Sequence, residues 1–216
     1  MKYSVILLGE SRSFPATHGL LEGSTDGGEV LVIIGADAGR AFSELPERDA
    51  KTAILVELGS ECLGVHTGEG RGDEGSNVLG FARFRLGDAT PTNLIELVRQ
   101  PRTAPGALAA ARHVLEAAGF AVAVCNDFPG RIVDRLIRPY LNAALRRLDE
   151  GLASADDMDT TLRLGLGYPE GPIALLERTG LAHHATVTQA LFEALGDPAY
   201  APARRAQVAN IRRSKT

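Results

Sequence analysis

The sequence predicts an α/β domain built on a parallel sheet, followed by an all-helical domain. In the first half, short and continuous apolar runs are typical of strands that are buried on both faces of a sheet. After Asn126, apolar residues instead recur at every third or fourth position, which is the spacing of an amphipathic helix. We therefore predict a domain boundary near Asn126, with residues 1–126 forming the first domain and residues 127–216 the second.

The strands of the first domain are predicted from apolar runs that end at or near a glycine, namely residues 3–8, 30–34 and 53–58. The further strand candidates are residues 77–84, 94–98 and 120–124. An alanine-rich segment over residues 105–118 begins with a proline and is followed by Gly119, which is the usual punctuation of a helix. Strands that alternate with helices in this way favour an α/β sheet.

The second domain is predicted to begin with one long amphipathic helix over residues 132–148, which Gly151 ends. Pro139 falls inside this helix, where a proline removes a backbone donor and is expected to kink it. Ser154 and Asp157, three residues apart, resemble a capping box and start the next helix. Further helices are predicted near residues 171–178, 182–195 and 202–211.

Composition and charge narrow the classes of function. The chain has 216 residues and a formal net charge of −4 with a pI near 5.8, which argues against nucleic acid or an anionic membrane as the main partner. Cys62 and Cys125 have no metal-ligand spacing, so no metal is predicted. Without a recognisable signal peptide or membrane-spanning run, a cytoplasmic protein is expected. The glycine-rich residues 67–75 are predicted to form a mobile surface loop.

Three linked segments of the second half resemble the C-terminal domain of the 3-hydroxyacyl-CoA dehydrogenases. They are Asp-Phe-Pro-Gly-Arg-Ile-Val from residue 127, Glu-Gly-Leu-Ala-Ser-Ala-Asp-Asp-Met-Asp from residue 150, and Gly-Tyr-Pro-Glu-Gly-Pro from residue 167. Each segment alone is a weak signal, but three in the family's order and spacing are a strong one. The resemblance implies a Rossmann-like first domain of reduced size, and a helical domain that forms the dimer interface in the family.

The resemblance is poorer at the cofactor-binding turn. The family follows its first strand with a G-x-G-x-x-G fingerprint, whose glycines let the backbone approach a dinucleotide pyrophosphate. Here only Gly9 is present, and Glu10 would repel a phosphate. The chain between the first strand and the strand that starts at Ala53 is also shorter than in the family, so one or more β-α units are expected to be missing. No cofactor is predicted, and NAD(H) is implied only if the chain is an active dehydrogenase.

The resemblance also implies changes at the catalytic positions. Ala82 stands where the family has its general-base histidine, and Arg85 stands where it has an asparagine. Glu96 matches the glutamate that orients that histidine, Ser60 falls near the family's serine, and Asp134 replaces a second asparagine. A positioned general base contributes roughly 10²- to 10⁴-fold to the rate, so loss of the histidine predicts impaired catalysis.

Two other roles remain open for the charged residues. An ion pair of Glu96 with Arg83 or Arg85 is favoured over retained acid–base chemistry, because a buried carboxylate needs a cation or hydrogen-bond donors. His66 could replace the lost base, although a solvated loop histidine is the commoner reading. These residues support three hypotheses: an impaired homologue that binds an acyl-CoA thioester or a partner enzyme, an active dehydrogenase that uses Glu96 or His66, and a structural oligomerisation module. We expect a homodimer or association with a full-length dehydrogenase.

Overall fold

The computed structural model describes residues 1–68 and 76–215 and divides the chain into two compact units. Unit 1 contains Met1–Arg85 and Pro91–Ile132, and unit 2 contains Leu86–Thr90 and the chain from Val133 onward. The units therefore divide six residues after Asn126, and a short segment from the first half of the chain belongs to unit 2. Residues 69–75 of the predicted mobile loop lie outside the described residues. Among those described, no helix is long and apolar enough to cross a membrane.

Unit 1 is built on a six-stranded sheet, which confirms the predicted α/β class. Its strands are β1 Tyr3–Leu7, β2 Val30–Ile34, β3 Ala53–Glu57, β4 Val78–Arg83, β5 Leu94–Arg99 and β6 Ala121–Asn126. They lie side by side in the order of the chain. The β4–β5 pair is antiparallel, and the other neighbouring pairs are parallel.

Helices cover both faces of the sheet. The helices of unit 1 are α1 Gly19–Glu22, α2 Ala38–Glu44, α3 Gly64–Thr67 and α4 Pro105–Ala117. Alternate residues of β2 and β3 pack either with α4 on one face or with Phe42 and Leu63 on the other. Every residue of these two strands is buried, which explains why their sequences, apart from Glu57 at the end of β3, are continuously apolar rather than alternating.

The first strand lies at an edge of the sheet, and a loop covers that edge. The Val5 N–H donates to Ser24 Oγ at 2.9 Å, and the Thr25 N–H donates to the Tyr3 carbonyl at 2.8 Å. Gly28 packs so closely that a Cβ atom there would lie 2.4 Å from the Tyr3 backbone. The loop thus binds polar groups that a neighbouring strand would otherwise pair, so this edge is partly closed within the chain.

Replacing Gly28 with alanine is expected to destabilise the protein by about 1–3 kcal/mol, because the added methyl group must displace the β1 backbone. Urea denaturation measures the effect. Gly19 is the matched control, since among the described residues no atom lies within 4 Å of its Cβ position apart from its chain neighbours and the backbone of its own helix. Equal losses for Gly28→Ala and Gly19→Ala would contradict the close packing of the loop on β1.

Unit 2 is helical, and its elements follow the predicted ones closely. They are α5 Val133–Asp149, α6 Ala155–Leu166, α7 Pro172–Thr179, α8 Leu181–Leu195 and α9 Arg204–Arg213. Pro139 lies inside α5, which continues beyond it to Asp149. The Ser154 hydroxyl accepts from the Asp157 N–H at 3.1 Å, which confirms the predicted cap of α6. Leu141, Leu145, Ile173 and Leu176 lie in the apolar core of this unit.

Candidate functional site

Ala82 and Glu96 lie directly opposite each other on the antiparallel strands β4 and β5. Both residues are buried, with exposures of 5% and 2%. Side chains that face each other across an antiparallel pair lie on the same face and within contact distance. The two positions that resemble the family's base and its orienting carboxylate are therefore neighbours, but the methyl group of Ala82 cannot accept a proton.

The Glu96 carboxylate is held by the turn that leads into unit 2. Arg131 Nε donates to Glu96 Oε2 at 3.1 Å, and the Ile132 N–H donates to Oε1 at 2.8 Å. Arg131 Nη1 donates in addition to the carbonyl of Gly59 at 2.8 Å. The Arg131 side chain is only 6% exposed. Glu96 is thus a compensated buried carboxylate, and Arg131 is its cation.

The prediction that Arg83 supplies this cation is wrong. Successive side chains of a strand point to opposite faces, and Arg83 pairs with Ile95 rather than with Glu96. Its guanidinium lies over the rings of Phe14 and Phe120, at 5.8 and 5.3 Å. Arg85, the other candidate, is half-buried just beyond the end of β4.

The role of Arg131 was not predicted from the sequence, and its backbone conformation is unusual. Arg131 has a φ of 50°, which is uncommon for a residue with a side chain, and it follows Gly130 with a φ of 75°. The Gly130 N–H donates to the Ser60 carbonyl at 2.9 Å. This turn therefore brings Arg131 to Glu96, and the half-buried Ser60 lies beside the turn, at Gly130.

Asp134 lies in unit 2, on the first turn of α5. Its Oδ1 accepts from Arg138 Nε at 2.7 Å, and both residues are buried. The aspartate at this position is accordingly one member of a buried ion pair.

The turn after β1 places backbone donors around a carboxylate from β3. Gly9 has a φ of 75°, but the first helix starts only at Gly19 and has four residues. Glu57 Oε1 accepts from the Ser11 hydroxyl at 2.9 Å and from the Ser13 N–H at 3.0 Å, and its Oε2 accepts from the Gly35 N–H at 2.7 Å. Glu57 was missed, because only the fold brings it to these donors.

His66 is not the solvated loop histidine that was predicted. It lies in α3, and its side chain is 18% exposed. Its Nε2 is 3.4 Å from Glu61 Oε1, which also accepts from the Gly59 N–H at 2.9 Å. Burial raises the pKa of Glu61, but hydrogen bonds from His66 and from the backbone outweigh burial and hold this pKa below its ordinary value. The pair is thus a positioned histidine and carboxylate.

These groups share a cavity of about 270 Å³ at the carboxyl ends of β1, β2 and β3. Its charged and polar lining residues are Glu10, Arg12, Glu57, Glu61 and His66. In the described part of the chain, no group of three or more His, Cys, Asp or Glu side chains is placed to hold a metal ion.

Comparisons with known proteins find similarity to the 3-hydroxyacyl-CoA dehydrogenases. Residues 130–213 match the model of the C-terminal domain of 3-hydroxyacyl-CoA dehydrogenase. The human mitochondrial hydroxyacyl-coenzyme A dehydrogenase is 41% identical over 102 residues, which are 47% of this chain and 32% of the relative. A 3-hydroxybutyryl-CoA dehydrogenase of Bradyrhizobium diazoefficiens is 35% identical over 109 residues, which are 50% of this chain and 37% of the relative. The chain thus spans about a third of the length of these relatives.

Two solved structures resemble the chain over most of its length. The (S)-3-hydroxybutyryl-CoA dehydrogenase from Ralstonia eutropha has a TM-score of 0.68 and 22% identity, and the match covers 83% of this chain and 64% of that one. The 3-hydroxybutyryl-CoA dehydrogenase from Escherichia coli K12 has a TM-score of 0.71 and 23% identity, with 86% and 40% covered. These likenesses show a Rossmann-like domain followed by a helical C-terminal domain.

Proposed function

Because this chain is a relative of the 3-hydroxyacyl-CoA dehydrogenases and its residues 130–213 match their C-terminal domain, we propose that it is a catalytically impaired protein of acyl-CoA metabolism. In this proposal it binds an acyl-CoA thioester or a partner enzyme and does not oxidise the thioester at a rate typical of the family. The observation that carries the proposal is the pairing of Ala82 with a Glu96 that Arg131 holds.

The chemistry of this arrangement supports impairment. A general base must accept the proton of the substrate hydroxyl within hydrogen-bond distance. Ala82 has no acceptor, and both oxygens of Glu96 accept hydrogen bonds, from Arg131 and from the Ile132 backbone. An ion pair therefore stands where the family has its histidine and glutamate.

The strand order is a reason to expect that NAD(H) binds only weakly. Doubly wound sheets bind dinucleotides in the crevice where the strand order reverses. The six strands described here follow the order of the chain from β1 to β6, so their order contains no reversal. A sheet with this order offers no crevice of that kind for NAD(H).

The partner in this proposal is a second copy of the chain or a full-length dehydrogenase. Helix α6 buries Asp159, while Leu164 and Leu166 near its end are 78% and 64% exposed. Large exposed apolar side chains on one element favour an interaction site. We further propose a cytoplasmic location, since two cysteines that lie far apart in the sequence, Cys62 and Cys125, give no sign of a disulfide framework.

An active dehydrogenase is the second candidate, and the His66–Glu61 pair favours it. A histidine held by a carboxylate has the arrangement of a general base with its orienting group. In this alternative His66 takes the proton that Ala82 cannot take, and Glu61 orients the ring.

Titration of the purified protein with acetoacetyl-CoA and with NADH separates these functions. We expect saturable binding of acetoacetyl-CoA, weaker binding of NADH than by a catalytically intact relative that is assayed in parallel, and turnover at least roughly 10²- to 10⁴-fold below that relative. Calorimetry measures binding, and NADH consumption measures turnover.

Matched variants identify the group responsible for any turnover. Family-like turnover that is lost in His66→Asn but kept in Glu96→Gln would replace the first function with the second. If neither ligand binds, the remaining hypothesis is a structural oligomerisation module. The exposed leucines near the end of α6 would then be the candidate contact surface.

A further inference from the structure

We propose that Glu57 is a specificity-determining residue, whose carboxylate fills the chain's own anion-binding donors and excludes phosphate from the turn after β1. This inference is independent of the acyl-CoA binding proposed above. It concerns only the donors at the carboxyl ends of β1 and β2.

The donors have the arrangement of an anion site. Backbone N–H groups that converge in turns after parallel strands form concave sites for phosphate, and dinucleotide-binding sheets use the turn after their first strand. Here the Ser13 N–H and the Ser11 hydroxyl from that turn converge with the N–H of Gly35, which directly follows β2.

Glu57 already occupies the position of the anion. It is the last residue of β3 and is 8% exposed, and its two oxygens receive all three of these donors at 2.7 to 3.0 Å. Hydrogen bonds from neutral donors to a carboxylate are stronger than bonds between neutral groups. A phosphate would have to displace a carboxylate that is covalently attached at the right place, so the attached carboxylate prevails.

Neighbouring charges oppose an external anion as well. Glu10 and Glu61 line the same cavity as Glu57. Arg12 contributes a guanidinium to this lining, and His66 contributes an imidazole. A phosphate at this position would meet three carboxylates, which the single guanidinium does not balance. Steric occupation by Glu57 and repulsion by the two other carboxylates therefore act in the same direction.

The test removes the carboxylate and supplies a free anion in its place. In Glu57→Ala the three donors lose their acceptor, and we expect a lower Tm than in the wild type. Sodium formate or inorganic phosphate should raise that Tm in a saturable manner, because an anion that binds only the folded state stabilises it. Sodium chloride at equal ionic strength serves as the screening control. The wild type should show no saturable effect of either anion.

Two matched variants separate occupation from repulsion. Glu10→Ala removes a charge from the cavity but leaves the donors filled, so its Tm should respond to formate as the wild type does. Glu57→Gln keeps the volume and loses the charge, so it should have a lowered Tm that formate does not restore. Equal formate responses in Glu10→Ala and Glu57→Ala would overturn the proposal.

A measurement on the wild type decides the question even if Glu57→Ala does not fold. The amide resonances of Ser13 and Gly35 should stay unchanged on titration with phosphate, pyrophosphate or NADH. Saturable shifts of both amides would overturn the proposal, since they would show that the donors accept an external anion. A folded Glu57→Ala with no saturable anion response would overturn it too.

Discussion

Replacement of Arg131 by methionine is expected to lower the free energy of unfolding by about 3–5 kcal/mol, as measured by urea denaturation. The variant leaves the Glu96 carboxylate buried at 2% exposure without its cation, and it also removes a hydrogen bond to the Gly59 carbonyl. Removing one partner of a buried pair is costly because the remaining charge stays buried without the group that compensated it.

Two comparisons give this prediction its control. Arg112→Met removes a similar side chain from an ion pair with Glu116 on the surface of α4, where both side chains are about half exposed, and should cost at most about 1 kcal/mol. The double variant Arg131→Met with Glu96→Gln removes both charges and should recover part of the loss. Equal losses for Arg131→Met and Arg112→Met would show that the pair with Glu96 is not the buried interaction described above.

The parts of the fold that the sequence predicted are those that local patterns determine. Strands β2 and β3 were found because strands covered on both faces have continuous apolar sequences. The cap of α6 was found because Ser154 and its partner are only three residues apart. Each of these features is decided within a few residues, so no knowledge of the tertiary structure is needed to predict it.

The parts of the candidate site that the sequence did not predict depend on distant contacts. Arg131 and Glu96 are 35 residues apart, and Glu57 lies 44 residues from Ser13. No local pattern specifies such pairs, because the strand order and the path of the turns decide them. The position of Arg83 does follow from a local pattern, since a strand places Ala82 and Arg83 on opposite faces and Ala82 is the residue that faces Glu96.

A second long-range network lies in the core of unit 2, around His184. His184 lies near the start of α8 and is only 1% exposed. Arg138 Nη1 lies 3.0 Å from its Nδ1, and Asn142 Oδ1 lies 2.8 Å from its Nε2. A guanidinium can only donate, so Nδ1 must accept and the proton of a neutral ring must be on Nε2. A protonated ring would direct an N–H toward Arg138.

This network predicts a loss of stability in acid that depends on His184. Burial first, and the charge of Arg138 second, lower the pKa of His184 from 6.5 to about 3. Below pH 6.5 the unfolded chain binds a proton that the folded chain refuses, so this contribution to stability is full above pH 6.5 and is lost progressively toward pH 3.

We therefore expect the free energy of unfolding of the wild type to fall more steeply between pH 6.5 and pH 4 than that of His184→Gln. The difference in slope should approach about 1.4 kcal/mol per pH unit, which is the limit for one proton. Urea denaturation at several pH values measures it, and the comparison cancels the carboxylates that both proteins share. His113→Gln replaces an exposed histidine on α4 and should retain the wild-type slope. Parallel pH profiles for the wild type and His184→Gln would mean that the folded protein accepts the proton on His184, against the donor arrangement around Nδ1.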